Sequence, residues 1–324
     1  MQENVLEIKN LHVQFPIHIG TVRAVEDVSI NLRKGEVMGL VGESGCGKST
    51  LGFSILRLLR PPGKIASGEI NYHGRDICRM PQKELLALRG RNISMIFQDP
   101  LTSLDPLYTI GDQFLETLRT HEKGIKKKMA LERAADMLTN LGISPDRLHE
   151  YPHQMSGGMR QRIMIGIGLI LDPDLLIADE PTTALDVIVE AQFLDLLNEL
   201  QEKFDLTIMF ISHNLGVVAQ AADRITVMYG GRMAETGTAE DVFADPKHPY
   251  TQGLLASVPN IRLEQPELLA MPGAPPDLVN PPPGCVFHPR CPHVMDICKQ
   301  EVLSLIHISE PTRLGMLSRM PSSA

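Results

Sequence analysis

Val37-Met-Gly-Leu-Val-Gly42-Glu43-Ser44-Gly45-Cys46-Gly47-Lys48-Ser49-Thr50, running on into Leu-Gly-Phe-Ser-Ile-Leu-Arg-Leu-Leu59, is the stretch on which the fold turns. An apolar run of strand length feeds a turn that fits G-x-x-x-x-G-K-[ST], and an apolar-periodic helix follows. That context separates a phosphate loop from a plain glycine-rich turn. In such a loop the backbone from Gly42 to Thr50 wraps a polyphosphate, with N–H groups and a helix N-terminus facing the anion. Lys48 reaches the β and γ phosphates and Ser49 ligates Mg²⁺. A helix N-terminus can lower a thiol pKa, but Cys46 is read first as a small spacer whose backbone matters.

Outward from the loop the chain alternates. Before it lie short β-like pieces (VLEIKNLHVQF, AVEDVSINL) separated by polar or glycine turns. After it, residues 68–74 (GEINYHG) read as a hairpin element and residues 93–98 (ISMIFQ) as a short buried strand. Residues 107–170 are helical by pattern, and LLIADEP, AQFLDLLNELQEKF, TIMFISH, LGVVAQAADR and ITVMYGGRMAETG then alternate strand with helix. The prediction is an α/β fold, a mainly parallel sheet covered by helices with a helical insertion at about 107–170. Beyond about Asp245, DPKHPY, ASVPN, MPGAPP and NPPPGC mark an irregular extension, with a boundary near Tyr250.

Phosphoryl transfer needs carboxylates, and LLIADEP ends in two. Asp179 is placed to hold Mg²⁺ and Glu180 to polarise an attacking water. TIMFISH ends in His213, which would contact the γ phosphate, and ISMIF is followed by Gln98. Each of these strand ends is unremarkable alone, and only the phosphate loop gives them a shared purpose.

The composition bounds the class of protein. With 324 residues, 43% hydrophobic and 22% charged, the chain can bury a core in each of about two domains. Lys plus Arg number 31 against 39 Asp plus Glu, a net charge of −8, the wrong sign for coating nucleic acid. Aromatic residues are 4% with no Trp, which leaves little for base stacking. The longest apolar stretch, Ile163 to Leu171, is about half of the roughly 20 residues a membrane span requires. The N-terminus has no signal-peptide layout. The expectation is a cytoplasmic protein without nucleic-acid partners, held at a membrane only through other subunits.

Ser156-Gly-Gly-Met-Arg-Gln161 opens the helix RQRIMIGIGLIL, between the Gln98 strand and the LLIADE strand. It resembles the signature motif of ATP-binding-cassette ATPases. The resemblance covers about residues 4–302 and implies a P-loop cassette core with an N-terminal antiparallel β subdomain, a helical subdomain and a C-terminal extension, the cassette proper ending near residue 250. It carries over onto Gly42 to Thr50 (Walker A), Gln98 (Q-loop, sensing Mg²⁺ or the γ phosphate), Ser156, Gly157, Gly158 and Met159 (signature), Asp179 and Glu180 (Walker B), Ala184-Leu185-Asp186 (D-loop) and His213 (switch). Phe15 is the candidate adenine-stacking aromatic. Met155 stands for the usual Leu or Phe and Met159 for the usual Gln; the Ser156 hydroxyl and glycine N–H groups remain to bind phosphate. The resemblance implies ATP and Mg²⁺ as ligands. It also implies a second cassette that completes each site, two transmembrane permease subunits and, indirectly, an extracytoplasmic solute-binding protein.

FQDPLTSLDPLYTIGDQFLE, the SGGM form of the signature and HPYTQGLLASVP are similar to the oligopeptide and dipeptide permease branch, in its first-type ATPase. The cargo implied is a di- or oligopeptide, with nickel or another small solute, or a soluble cassette ATPase outside transport, as alternatives. The location implied is the cytoplasmic face of the cell's inner membrane. GCVFHPRCPHVMDIC resembles that branch's extension at 251–302, where Cys285, Cys291 and Cys298 would hold a four-iron four-sulfur cluster lacking its fourth ligand. Three thiols at C-x5-C-x6-C suit a soft metal, and His288 and His293 keep a zinc site open. Residues 303–324 (LSLIHISEPTRLGMLSRMPSSA) resemble a translated sequencing-library adapter and are read as an artefact outside the fold.

Overall fold

In the computed structural model, which describes residues 3–98, 104–183, 186–257 and 271–302, the strands are β1 (Asn4–Ile17), β2 (Gly20–Arg33), β3 (Val37–Val41), β4 (Lys64–Tyr72), β5 (Arg75–Asp76), β6 (Ile93–Ile96), β7 (Leu175–Asp179), β8 (Thr207–Ser212), β9 (Arg224–Tyr229) and β10 (Arg232–Thr238). The helices are α1 (Lys48–Ile55), α2 (Gln82–Leu88), α3 (Ile110–His121), α4 (Lys127–Asn140), α5 (Gly157–Leu169), α6 (Val187–Phe204), α7 (Leu215–Ala221), α8 (Ala239–Ala244) and α9 (Pro249–Ala256). Two compact units share them. The first is Met1–Glu7, Asn31–Val37 and Asn71–Ile211; the second is Ile8–Ile30, Met38–Ile70 and Ser212–Ala324.

In the first unit β6, β7 and β8 run parallel, with Ile96 opposite Ala178 and Asp179 opposite Ile211. With a strand on each side, β7 is buried along its whole length, as a continuous apolar run requires. Parallel register also brings the residues after β6 and β7 out at one end. Two positions beyond the Ile96–Ala178 pair lie Gln98 and Glu180. The helical part packs through small residues: a Cβ on Gly166 of α5 would meet Leu141 at 2.6 Å and the Phe114 ring of α3 at 3.2 Å. The alternation IGIG is thus a packing device. Three helices of this unit start on a side-chain cap: Thr109 accepts from the Asp112 N–H, Ser156 from Met159, and Asp186 from both Ile188 and Val189.

In the second unit β1 and β2 form a hairpin with β4 alongside β1, and β3 pairs parallel with β9 from Met38–Arg224 to Val41–Val227. β9 and β10 form an antiparallel hairpin whose two turn residues, Gly230 and Gly231, have φ of 55° and 80°. Both central positions at positive φ are what a tight hairpin of this hand demands. Gly39 of β3 lets α7 approach, since a Cβ there would lie 2.0 Å from a Val218 methyl.

The irregular reading beyond Asp245 needs correction. Residues 249–256 are helical. Pro249 sits at the first helical position, where a missing N–H costs nothing, and His248 caps that helix through its ring nitrogen. A proline taken as a breaker is in fact a start signal. Residues 271–302 do lack regular structure apart from a short 3₁₀ turn at Asp296–Lys299.

Candidate functional site

The second unit carries the phosphate loop between β3 and α1. Its shape depends on glycine at two points. A Cβ on Gly42 would lie 2.2 Å from the Met228 carbonyl oxygen, and one on Gly47, at φ 106°, 2.1 Å from the Ala24 carbonyl oxygen. Backbone on the far side forbids any other residue there. Lys48 is 4% exposed, and its Nζ donates to the carbonyls of Gly42 at 2.8 Å and Glu43 at 3.1 Å. Cys46 is buried behind the loop, with its carbonyl accepting from the Gly231 N–H. Burial pushes its thiol up, with Lys48 pulling the other way. Ser44 and Gly45 are exposed, and Ser49 and Thr50 half-buried at the helix start.

Glu43 is the best-held residue of the loop. Its N–H donates to the Tyr250 hydroxyl at 2.8 Å, and its carboxylate takes two bonds from Arg290, at 2.8 and 3.0 Å. Sequence spacing offers no signal for partners 207 and 247 residues away. His213 lies exposed just past β8. Phe15, on β1, is half-buried, and its ring lies so close to Gly63 that a Cβ there would meet it at 2.4 Å.

The first unit brings Gln98 and Glu180 together. Gln98 Nε2 donates to Glu180 Oε2 at 3.1 Å, and Thr183 Oγ1 donates to the same oxygen at 3.2 Å. Glu180 itself has φ 47°, a left-handed conformation uncommon for a residue with a side chain. Its N–H donates to Ile211 O at 2.9 Å, which holds that conformation in place. Asp179, 2% exposed, closes the apolar strand just before it. Ser156 and Gly157 stand exposed at the N-terminus of the thirteen-residue α5, while Met155 is buried and anchors the turn before it. Gly158 is half-buried against Val189. Asp186 is spent on capping α6; Ala184 and Leu185 lie outside the described residues, as do residues 303–324.

The cysteines of the extension do not form a metal centre as placed. Cys285 and Cys298 are buried and joined by a 2.8 Å backbone bond, and Cys291 is half-buried. Burial pushes the Cys285 and Cys291 thiols up. Among the described residues no three His, Cys, Asp or Glu side chains are gathered to hold a metal ion. Among the described residues neither the four-iron cluster nor the zinc alternative finds a gathered set of ligands.

The loop from Gly42 to Thr50, the Gln98–Glu180 pair and the exposed Ser156–Gly157 helix start are the features that the resemblance to cassette ATPases calls for. The comparisons agree. The ABC transporter family matches residues 25–183, and the oligopeptide/dipeptide transporter C-terminal region matches residues 234–298. A dipeptide transport ATP-binding protein, DppD of Bacillus subtilis, is 54% identical over 300 residues, covering 91% of this chain and 89% of the relative. The oligopeptide transport ATP-binding protein OppD of Salmonella typhimurium is 50% identical, covering 91% and 88%. The dimeric ABC transporter cassette MJ0796, also solved in a post-hydrolysis state with ADP and Pi, superposes with a TM-score of 0.64 at 26% identity, over 72% of this chain and 98% of that one. CbiO1 of Clostridium perfringens gives 0.66 at 27%, over 75% and 92%. The chain belongs to the ABC transporter ATPases, in the branch of dipeptide and oligopeptide transport ATP-binding proteins. Among the described residues no helix is long and apolar enough to cross a membrane.

Proposed function

We propose that this ATPase drives an importer of di- and oligopeptides, seated on the cytoplasmic face of the membrane by two permease subunits and working as a pair with a second cassette. The observation that carries the cargo is the match of residues 234–298 to a region described for oligopeptide and dipeptide transporters. The dimeric cassette to which the fold is similar supports the pairing.

In this reading ATP lies on the loop from Gly42 to Thr50, with Lys48 leaving its carbonyl partners for the phosphates and Phe15 against the adenine. Glu180 takes the proton of the attacking water, held by Gln98 and Thr183, and His213 orients the γ phosphate. The Ser156–Gly158 helix start of one cassette closes on the nucleotide of the other, and Asp186 belongs to the same closure. Mg²⁺ would neutralise phosphate charge and is a hard cation; the hydroxyl of Ser49, the carboxylate of Asp179 and the amide oxygen of Gln98 are oxygen donors of the kind it takes. No step is assigned to an iron–sulfur cluster, since the described thiols are not gathered with further ligands.

The test is uptake of a radiolabelled dipeptide by cells whose copy of this gene is deleted and then restored as wild type or Lys48→Ala. The proposal expects uptake to vanish on deletion and to return with the wild type alone. Uptake that survives deletion would contradict the peptide cargo.

A further inference from the structure

The bonds on Glu43 give the C-terminal extension a task at the nucleotide site. Arg290 is only 6% exposed as a side chain, and every nitrogen of its guanidinium is engaged. Nη1 and Nη2 donate to the two carboxylate oxygens of Glu43 at 2.8 and 3.0 Å, Nη1 also reaches the Tyr229 hydroxyl at 3.3 Å, and Nε donates to the Pro272 carbonyl at 2.9 Å. Its guanidinium also lies over the Tyr229 ring, 5.7 Å from the centroid. The turn that presents Arg290 is closed by its own N–H to Phe287 O and by Cys285 N–H to Cys298 O. Phe287 packs in turn on Tyr229 and Tyr250, at centroid distances of 5.1 and 5.5 Å. Arg290 and Tyr250 therefore arrive at Glu43 as one braced group, one on its side chain and the other on its backbone.

We propose that Arg290 is a positioning residue of the nucleotide site, through which the extension holds the first turn of the phosphate loop in its binding shape. The inference rests on the reading that Gly42 to Thr50 bind ATP. In the structure Lys48 spans the loop from within, through the Gly42 and Glu43 carbonyls, and a phosphate must draw it away. The loop then keeps its curvature only by tethers that do not involve Lys48, and the Arg290 fork and the Tyr250 hydroxyl are such tethers. A cradle already in shape loses less freedom when it binds. A fork also fixes the direction of the Glu43 carboxylate, which a lysine's single ammonium cannot do, and it cancels a negative charge beside an incoming polyphosphate.

The test measures ATP binding and steady-state hydrolysis by the full-length chain, with and without Arg290→Ala, and with Glu43→Gln added. Losing a charge-assisted fork should weaken ATP binding and raise KM by about tenfold, with kcat within about twofold of wild type. Adding Glu43→Gln to Arg290→Ala removes the stranded carboxylate without restoring the fork and should recover part of the affinity. Arg290→Lys should fall between the two. A purely structural role predicts loss of folded protein, read by thermal denaturation without nucleotide, and no recovery from Glu43→Gln. Wild-type ATP affinity in Arg290→Ala, a fall in kcat at unchanged KM, or a double variant no better than the single would each overturn the proposal. Lys48→Ala in the same assay separates the premise: wild-type binding by that variant would mean the loop is not the nucleotide site at all.

Discussion

Gln98 and Glu180 meet at 3.1 Å although 82 residues separate them, because two parallel strands end in register beneath them. Thr183 reaches the same oxygen of Glu180, so two donors fix one carboxylate. Gln98→Ala removes one of them. Hydrolysis should fall by about tenfold, the scale of one hydrogen bond to a charged group, with ATP affinity little changed. Parallel measurements of kcat and of ATP binding check the split.

Gly47→Ala would push a methyl against the Ala24 carbonyl oxygen at a position already in the left-handed region. The loop must then open. Stability should drop by about 2 kcal/mol, read from the urea midpoint, and ATP binding should be lost in the fraction that remains folded.

His248 is buried and its pKa is lowered by that burial to about 4 from 6.5. Its Nδ1 accepts from the Tyr250 N–H, which only the neutral ring can do, while the backbone N–H groups of Lys247 and His248 donate to the Glu235 carboxylate. Above pH 6.5 neither the folded nor the unfolded chain protonates this ring. Between pH 6.5 and about 4 the unfolded chain takes a proton that the folded chain refuses, so stability falls as the pH drops through that window. The loss should total about 3 kcal/mol. Denaturation midpoints across the window should show a weaker pH slope for His248→Asn, which keeps a side-chain acceptor for the cap.

Asp186 caps α6 with a single oxygen that accepts from Ile188 and Val189 at 3.1 and 3.0 Å. Asp186→Ala should cost about 1 kcal/mol of stability and Asp186→Ser only part of it. Chemical denaturation of the three proteins gives the comparison.

The elements nearest the chemistry were legible because their patterns are local. Val37 to Val41 and Leu175 to Asp179 are apolar runs of strand length ending in polar signals, and both are fully buried strands. Ser156, which the resemblance makes a signature residue, is an ordinary helix cap. Long-range pairings left no such trace. Nothing in the spacing of Glu43, Tyr250 and Arg290 shows that they converge, since the convergence comes from packing of Phe287 against two tyrosines. The left-handed Glu180 was equally invisible, because its N–H is held by the Ile211 carbonyl of a distant strand while its own carbonyl closes a turn with the Thr183 N–H. Pro249 misled because its effect depends on which side of a helix boundary it falls.

The central claim is that Glu180 is the base of an ATP-hydrolysing site. The most direct measurement is the nucleotide retained by the Glu180→Gln protein after incubation with Mg²⁺ and ATP, since glutamine keeps the size and the contacts but takes no proton. The account predicts intact ATP, bound as tightly as by the wild type and hydrolysed at least about a hundredfold more slowly. Accumulation of ADP at the wild-type rate would contradict it.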